Sequence, residues 1–520
     1  MFKLRSALMG PALAVLIAAV PVAVLAKSAA PSIPALHLPV TIDATRSATA
    51  ADKAGDFEIV YPGKLTAHEK APVEKYYADN AALQARGGID VQALINGTLP
   101  KDTPGIGPVI KVTRDWVLYN NNKLDPENPL RHDSDYAKSE GFDDVLAYFT
   151  FGANDDTYMV PYPGDARDKL LVSDLNHVIT SYAPIYPGDT LYLVMNERTV
   201  TDMTPVAGST FRSLAIVSKG SIYNQKGVKV NDVIFRVTES VEVYKDAAKR
   251  PANPGFFDMW VAPDWMKRPE HTYSDVDWSF IRKVWAGEKV RGAAPLYWED
   301  VKVGDKPAWT LEGPIQASVS PVRPWGQGSG GSRTLKKEIT DPETFRTLIR
   351  NPTDGIYRLP NPEDAIPKTP DDTEDKATGT PVKGEIDTTQ IHKAAVKRSP
   401  LVNYMGRDFA IRMLTNYMGD QGWIETIRWS IMDPRADLGY GVKVPVDPAA
   451  EHWLDEVPAM KGRHLTAHGL TKDVAIVKSE VVSKYARDGR FYVDIVWWIE
   501  TIDGYVWEEG KASVRLPSKP

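Results

Sequence analysis

Apolar positions along the chain gather into two runs of alternating, β-branched and aromatic segments. The first run predicts strands at 178–183, 191–194, 214–219 and 233–244. The second predicts strands at 424–431, 475–485, 491–499 and 505–516. Val, Ile, Tyr and Trp dominate these segments and fit a pleated, half-buried surface. Asp488-Gly489 and Asp503-Gly504 supply hairpin-type turns between the later strands. A helix precedes each run. The first is predicted near 136–140, after a turn-rich stretch at 120–135. The second is predicted at 406–417, where Phe409, Ala410, Ile411, Met413, Leu414 and Tyr417 leave little polar surface. A helix apolar on most sides is buried, here inside a curved sheet. Trp497 and Trp498 are adjacent on an alternating strand and are expected on opposite faces. A short strand at 57–61 and a helical stretch at 73–94 lie ahead of the first run.

The first 26 residues follow another pattern. Lys3 and Arg5 precede an uncharged apolar stretch, 7–26, which ends in Val24-Leu25-Ala26 and a polar, Pro-containing segment. This is the layout of a secretory signal peptide. A single membrane anchor is the other reading, and Pro11 and Pro21 favour the signal. The expected organisation is therefore a signal peptide at 1–26 and an N-terminal extension at 27–104. Two strand-rich halves follow at 105–250 and 295–520, with a connector at 251–294 and an insertion at about 326–386. The expected location is exported, in the periplasm.

Composition narrows the chemistry. At about 150 residues per domain, 520 residues allow two to four domains. A net charge of −6 gives no basic footprint for nucleic acid. The absence of Cys removes disulfides, thiolate nucleophiles and thiolate metal sites. No Gly-x-Ser-x-Gly elbow or dinucleotide fingerprint is present. Gly326–Gly331 lacks the Lys-Ser/Thr of a phosphate loop and is expected to be linker. His464 and His468, beside Gly469, are expected in a loop rather than in a metal site. Asp420, after Gly419, is expected as a helix-end turn residue. Neither a metal nor a cofactor is expected.

Four segments carry a family resemblance. They are 125–142 (DPENPLRHDSDYAKSEGF), Tyr186-Pro187-Gly188-Asp189, 297–305 (YWEDVKVGD) and 424–517. Together they resemble the active-site loop and helix, a strand turn, the opening strand and the closing strands of the MaoC-like, double hot-dog hydratases and dehydratases. The resemblance covers roughly 105–250 and 295–520. It implies an α+β fold: a tandem hot-dog, each half a curved antiparallel sheet wrapped around a central helix. It also implies water addition or removal across the 2,3-bond of an enoyl or 3-hydroxyacyl thioester, CoA-linked in the family, and a homodimer.

The family signature, Asp-x-Asn-Pro-x-His, divides between the halves. Asp387 and His392 keep the end spacing, with Thr389 and Gln390 in place of Asn and Pro. In the first half Asn128, Pro129 and Asp133 match, but Pro126 and Arg131 stand where Asp and His belong, and Asp125 and His132 sit one position off. The first half thus kept the loop scaffold and the second kept the dyad. By this resemblance His392 transfers the proton, having an unperturbed pKa of about 6.5. Asp387 activates or orients the water. The Gly406 amide, at a helix N-terminus, polarises the thioester carbonyl. Asn403, Arg407, Asn128 and His132 are the expected substrate-binding residues.

A second class of function competes with this one. CoA and carrier thioesters are cytoplasmic, whereas the leader predicts export. The alternative is an exported hot-dog protein that binds a hydrophobic or aromatic small molecule free of CoA, or acts on it as a lyase or hydratase.

Overall fold

The structure is a computed structural model. It describes residues 55–153, 170–246, 268–315, 335–358, 405–431 and 451–520, apart from isolated positions, together with the pairs 374–375 and 380–381. The expected leader, the Gly326–Gly331 segment, His464 and His468 lie outside the described residues.

Ten strands form one antiparallel sheet. They are β1 (Ile106–Lys111), β2 (Leu170–Ser181), β3 (Thr190–Asp202), β4 (Phe211–Asn224), β5 (Lys229–Glu242), β6 (Thr310–Glu312), β7 (Trp423–Ile431), β8 (Ala475–Arg487), β9 (Arg490–Glu500) and β10 (Val506–Leu516). Their spatial order is β1-β3-β4-β5-β2-β7-β10-β9-β8-β6. Counted within its own half, each five-stranded set runs first-third-fourth-fifth-second from its outer edge. The two sets meet where their second strands pair, with Ile427 opposite Ile179.

The eight strands expected in the two runs are present, seven of them longer than expected, while the short strand expected at 57–61 forms only isolated bridges at Phe57, Val60 and Tyr61. Two were missed. β1 and β6 lie at the sheet edges, where β1 is largely exposed and β6 is three residues long, so neither leaves a clear alternating pattern. The segment 297–305, expected as an opening strand, is instead a 3₁₀ turn at Trp298–Asp300 followed by turns. It crosses β8 through Gly304 N–H to Val481 O and Val481 N–H to Asp305 O, at 2.8 and 2.9 Å.

The helices used below are α1 (Lys70–Arg86), α2 (Arg114–Leu124), α3 (Ser134–Ser139), α4 (Asp275–Gly287) and α5 (Met405–Met418); shorter ones lie at Val91–Ile95, Leu335–Thr340 and Pro342–Phe345. The stretch expected to be helical at 73–94 breaks after Arg86, where Gly87 adopts a positive φ, and resumes at Val91–Ile95. α4 was not expected in the Pro- and Trp-rich connector. A capping box between Ser274 and Asp277 starts it, and Trp278, Ile281 and Trp285 form its buried face.

α5 is buried on every side from Gly406 to Leu414, as its composition predicts. The strands of the second half pack around it. Each of Phe409, Ile411 and Leu414 removes enough apolar surface to stabilise the fold by roughly 1.5–3 kcal/mol. No matching helix stands in the described part of the first half. α2 is amphipathic there, with Val117 buried and Arg114 and Asp115 exposed. One core cluster runs through both halves, from Ile110 to Leu516. Trp497 joins this core and Trp498 joins a second cluster on the opposite face of the sheet, as alternation requires.

The segment from 55 to 104 packs on the first half. Val60 bridges Ser209, and Glu69 pairs with the fully buried Arg212 of β4 at 2.9 Å. Among the described residues no helix is long and apolar enough to cross a membrane.

Candidate functional site

The chain turns sharply after α2, and short polar side chains fix that turn. The Asn128 amide donates from Nδ2 to Asp125 Oδ2 at 3.0 Å and accepts from Leu130 N–H at 3.1 Å. Asn128 therefore caps the 3₁₀ turn Pro129–Arg131, where Pro129 sets the first φ. Asn121 holds the turn from below, donating to the carbonyls of Arg131 and Leu146 at 2.7 and 2.9 Å. Arg131 points inward. Its guanidinium donates to Ala147 O, lies 5.5 Å over the Tyr148 ring and approaches Asp125 at 3.8 Å. His132 Nε2 lies 3.0 Å from the backbone oxygen of Asp125.

α5 carries buried polar groups at Asp408, Arg412 and Thr415, positions that share one face. The Asp408 carbonyl accepts from Tyr148 Oη at 2.5 Å, and its carboxylate accepts from Thr150 at 3.2 Å. Thr415 Oγ1 donates to Asp125 Oδ2 at 3.3 Å. Arg412 reaches Glu312 at 2.9 Å and Glu288 at 3.9 Å. Asp408 and Thr415 of this stripe fasten the first half to the second-half helix. Burial raises the Asp125 carboxyl above its ordinary value, against the pull of Arg131 and the Asn128 hydrogen bond.

A cleft of about 650 Å³, open mouth included, lies along this seam. The first half contributes Asn128, Arg131, Phe149 and Asn231, and the second contributes Thr415, Met418, Asp420 and Trp423. α5 ends at Gly419, whose φ of 71° turns the chain so that Asp420 meets the cleft. Tyr136 of α3 donates to Asp420 Oδ2 at 2.5 Å. Burial raises the Asp420 carboxyl, opposed by that hydrogen bond and by Arg131. Burial and the Asp420 partner push the Tyr136 hydroxyl up to about 12. Perturbed groups converging on a cleft are a mark of functional sites.

The expected site residues divide in two. Asp387, His392 and Asn403 lie outside the described residues. Gly406 opens α5, and its missing side chain matters: a Cβ there would stand 1.9 Å from Glu508 Oε2 and 2.7 Å from Ile499. The room left by this glycine holds the Glu508 carboxylate. Arg407 is buried, 3.1 Å from Asp408 and 4.6 Å over the Trp429 ring. Asn128 lines the cleft, while His132 is not among its lining residues.

Reading the sequence missed Arg131 and Asp420 as cleft residues, and Tyr136 as the partner that holds Asp420. Asp420 follows a helix-ending Gly, as expected, yet also faces the cleft. Local pattern held a hint only for Arg131, which occupies the position of the family His. The Tyr136–Asp420 pair spans 284 positions and left no local signal. Among the described residues no cluster of three or more His, Asp or Glu could hold a metal.

No protein-family model matches the chain, and no curated protein matches it. The solved structures it resembles are MaoC-like dehydratases and double hot-dog proteins. A MaoC-like dehydratase is 13% identical, with 84% of this chain and 100% of that chain covered, at a TM-score of 0.39. A conserved hypothetical protein from Mycobacterium tuberculosis with a double hot-dog fold is 11% identical, with 83% and 99% covered, at 0.33. A MaoC-like dehydratase from Phytophthora capsici is 9% identical, with 83% and 100% covered, at 0.31.

Proposed function

We propose that the chain is a tandem hot-dog hydro-lyase that adds or removes water across the 2,3-bond of an enoyl/3-hydroxyacyl thioester. The strand order carries this reading. Both halves run first-third-fourth-fifth-second and join through their second strands, and a helix buried on all sides follows the first strand of the second half. The Asp387–His392 pair belongs to the segment that feeds this helix.

In this reading the first half, 105–250, is the degenerate one, and the second, 295–520, is catalytic. His392 takes a proton from water while the water oxygen bonds to C3. Asp387 orients the water or His392, and a proton is then returned to C2. The Gly406 amide receives the charge that gathers on the thioester oxygen. Glu508 sets a condition on this last role. Two negative oxygens at one helix N-terminus repel, so a bound thioester requires Glu508 to be protonated or displaced. Glu508→Gln should therefore lower KM. Gly406→Ala is a poor probe of the amide, because its Cβ would collide with Glu508 and Ile499.

The test is hydration of a crotonyl thioester, followed by loss of enoyl absorbance. Activity in the wild type, lost in Asp387→Asn and His392→Ala while both stay folded, supports the reading. Full turnover in both variants removes the dyad, and an inactive wild type removes the thioester. Export and dimer formation belong to the same proposal. Cleavage near Ala26 in secreted material tests the first, and sedimentation tests the second.

A further inference from the structure

We propose that the seam cleft is a second ligand site, which takes an uncharged, apolar or aromatic molecule bearing one hydroxyl, received by Asp420. The site stands on the cleft alone and does not depend on the thioester reading. α5 rises about 1.5 Å per residue, so the twelve steps from Gly406 to Met418 separate the two ends of the helix by about 18 Å.

Three observations define the ligand. Phe142, Phe149, Met418 and Trp423 make much of the wall apolar and aromatic. The charged side chains on the lining are Arg131 and Asp420, of opposite sign, and Arg131 already faces the buried Asp125 at 3.8 Å. A charged ligand head would upset that balance in a poorly solvated place. Polar capacity nevertheless remains. Asp420 uses Oδ2 for Tyr136, while Oδ1 makes no hydrogen bond among the described residues. Asn231 is 1% exposed and lines the same cleft, yet among the described residues neither its Oδ1 nor its Nδ2 has a hydrogen-bond partner. Buried amides are normally paired. A hydroxyl can donate to Asp420 and accept from an amide, which a carboxylate or an ether cannot do.

The test is equilibrium binding to the full chain of three probes of one shape: 2-naphthol, 2-methoxynaphthalene and 2-naphthoate. The expected result is 2-naphthol about tenfold tighter than either of the others. Asp420→Ala should bring 2-naphthol down to the level of the methoxy compound, leaving the latter unchanged. Asn231→Val should weaken 2-naphthol as well. If Asp420→Ala fails to fold, the isosteric Asp420→Asn is read in its place, and the preference must again shrink. No binding of 2-naphthol up to its solubility, no preference in the wild type, or a preference that survives at position 420 each overturns the site. Because every readout is binding, a failed hydration assay leaves this result unaffected.

Discussion

The two halves of the sheet share one strand order, and the described residues between their first and second strands differ. In the second half that space holds α5, buried on all sides. In the first half the described residues hold an amphipathic α2 and a loop stiffened by Asn121, Asn128 and Arg131. The second half packs all five of its strands against its own helix. The first closes over that helix from the side, through polar contacts to Asp408 and Thr415. The cleft lies along these contacts, with Tyr148 and Thr415 in its wall.

Buried arginines give the largest contrast. Arg412 joins α5 to Glu312 and Glu288, and Arg212 of β4 joins the extension through Glu69 and the Tyr61 and Lys64 carbonyls. Removing one partner of a buried pair strands the other and costs about 3–5 kcal/mol. Arg412→Met should lower the stability of the whole molecule by that order, measured by denaturant unfolding. Arg212→Met should instead release residues 55–104 to proteolysis while the amides of the sheet stay protected from exchange. If both variants unfold globally, the extension is part of the same cooperative unit.

Asp420 gives a smaller, pH-dependent effect. Burial raises its carboxyl, so the folded state holds the proton more tightly than the unfolded chain. The stability this provides is fully present below the ordinary carboxylate pKa and is lost as pH rises through the raised native value. Asp420→Asn mimics the protonated form at every pH. It should therefore gain on the wild type in unfolding free energy between about pH 3.5 and pH 7. A difference that stays flat over this range contradicts the raised value.

The smallest effect concerns the loop of the first half. Asn128→Ala removes the cap on Leu130 N–H and the bond to Asp125, and should cost about 1 kcal/mol in denaturant unfolding. A larger loss would mean that Asp125 becomes stranded.

Much of this architecture was legible in the chain. Alternation located eight strands, and the apolar run 406–417 located a helix buried on all sides. Edge strands were not legible: β1 is largely exposed and β6 is too short to alternate. α4 could have been read from Ser274 and Asp277, but Pro- and Trp-rich surroundings hid it. The loop 125–133 was recognised by its Asn-Pro, and the structure explains that asparagine as a cap. The cleft was not legible, because Arg131, Asn231 and Asp420 come from three separate segments and meet only when the second strands pair.

The central claim is that hydration chemistry belongs to the second half, while the first half serves as scaffold and cleft wall. The direct measurement is the hydration rate of a crotonyl thioester by wild type, His392→Ala and His132→Ala, each shown to be folded. The account predicts turnover in the wild type, a fall of about 10²–10⁴-fold in His392→Ala, and a rate within about twofold of wild type in His132→Ala. An inactive wild type, full activity in His392→Ala, or a loss confined to His132→Ala would contradict it.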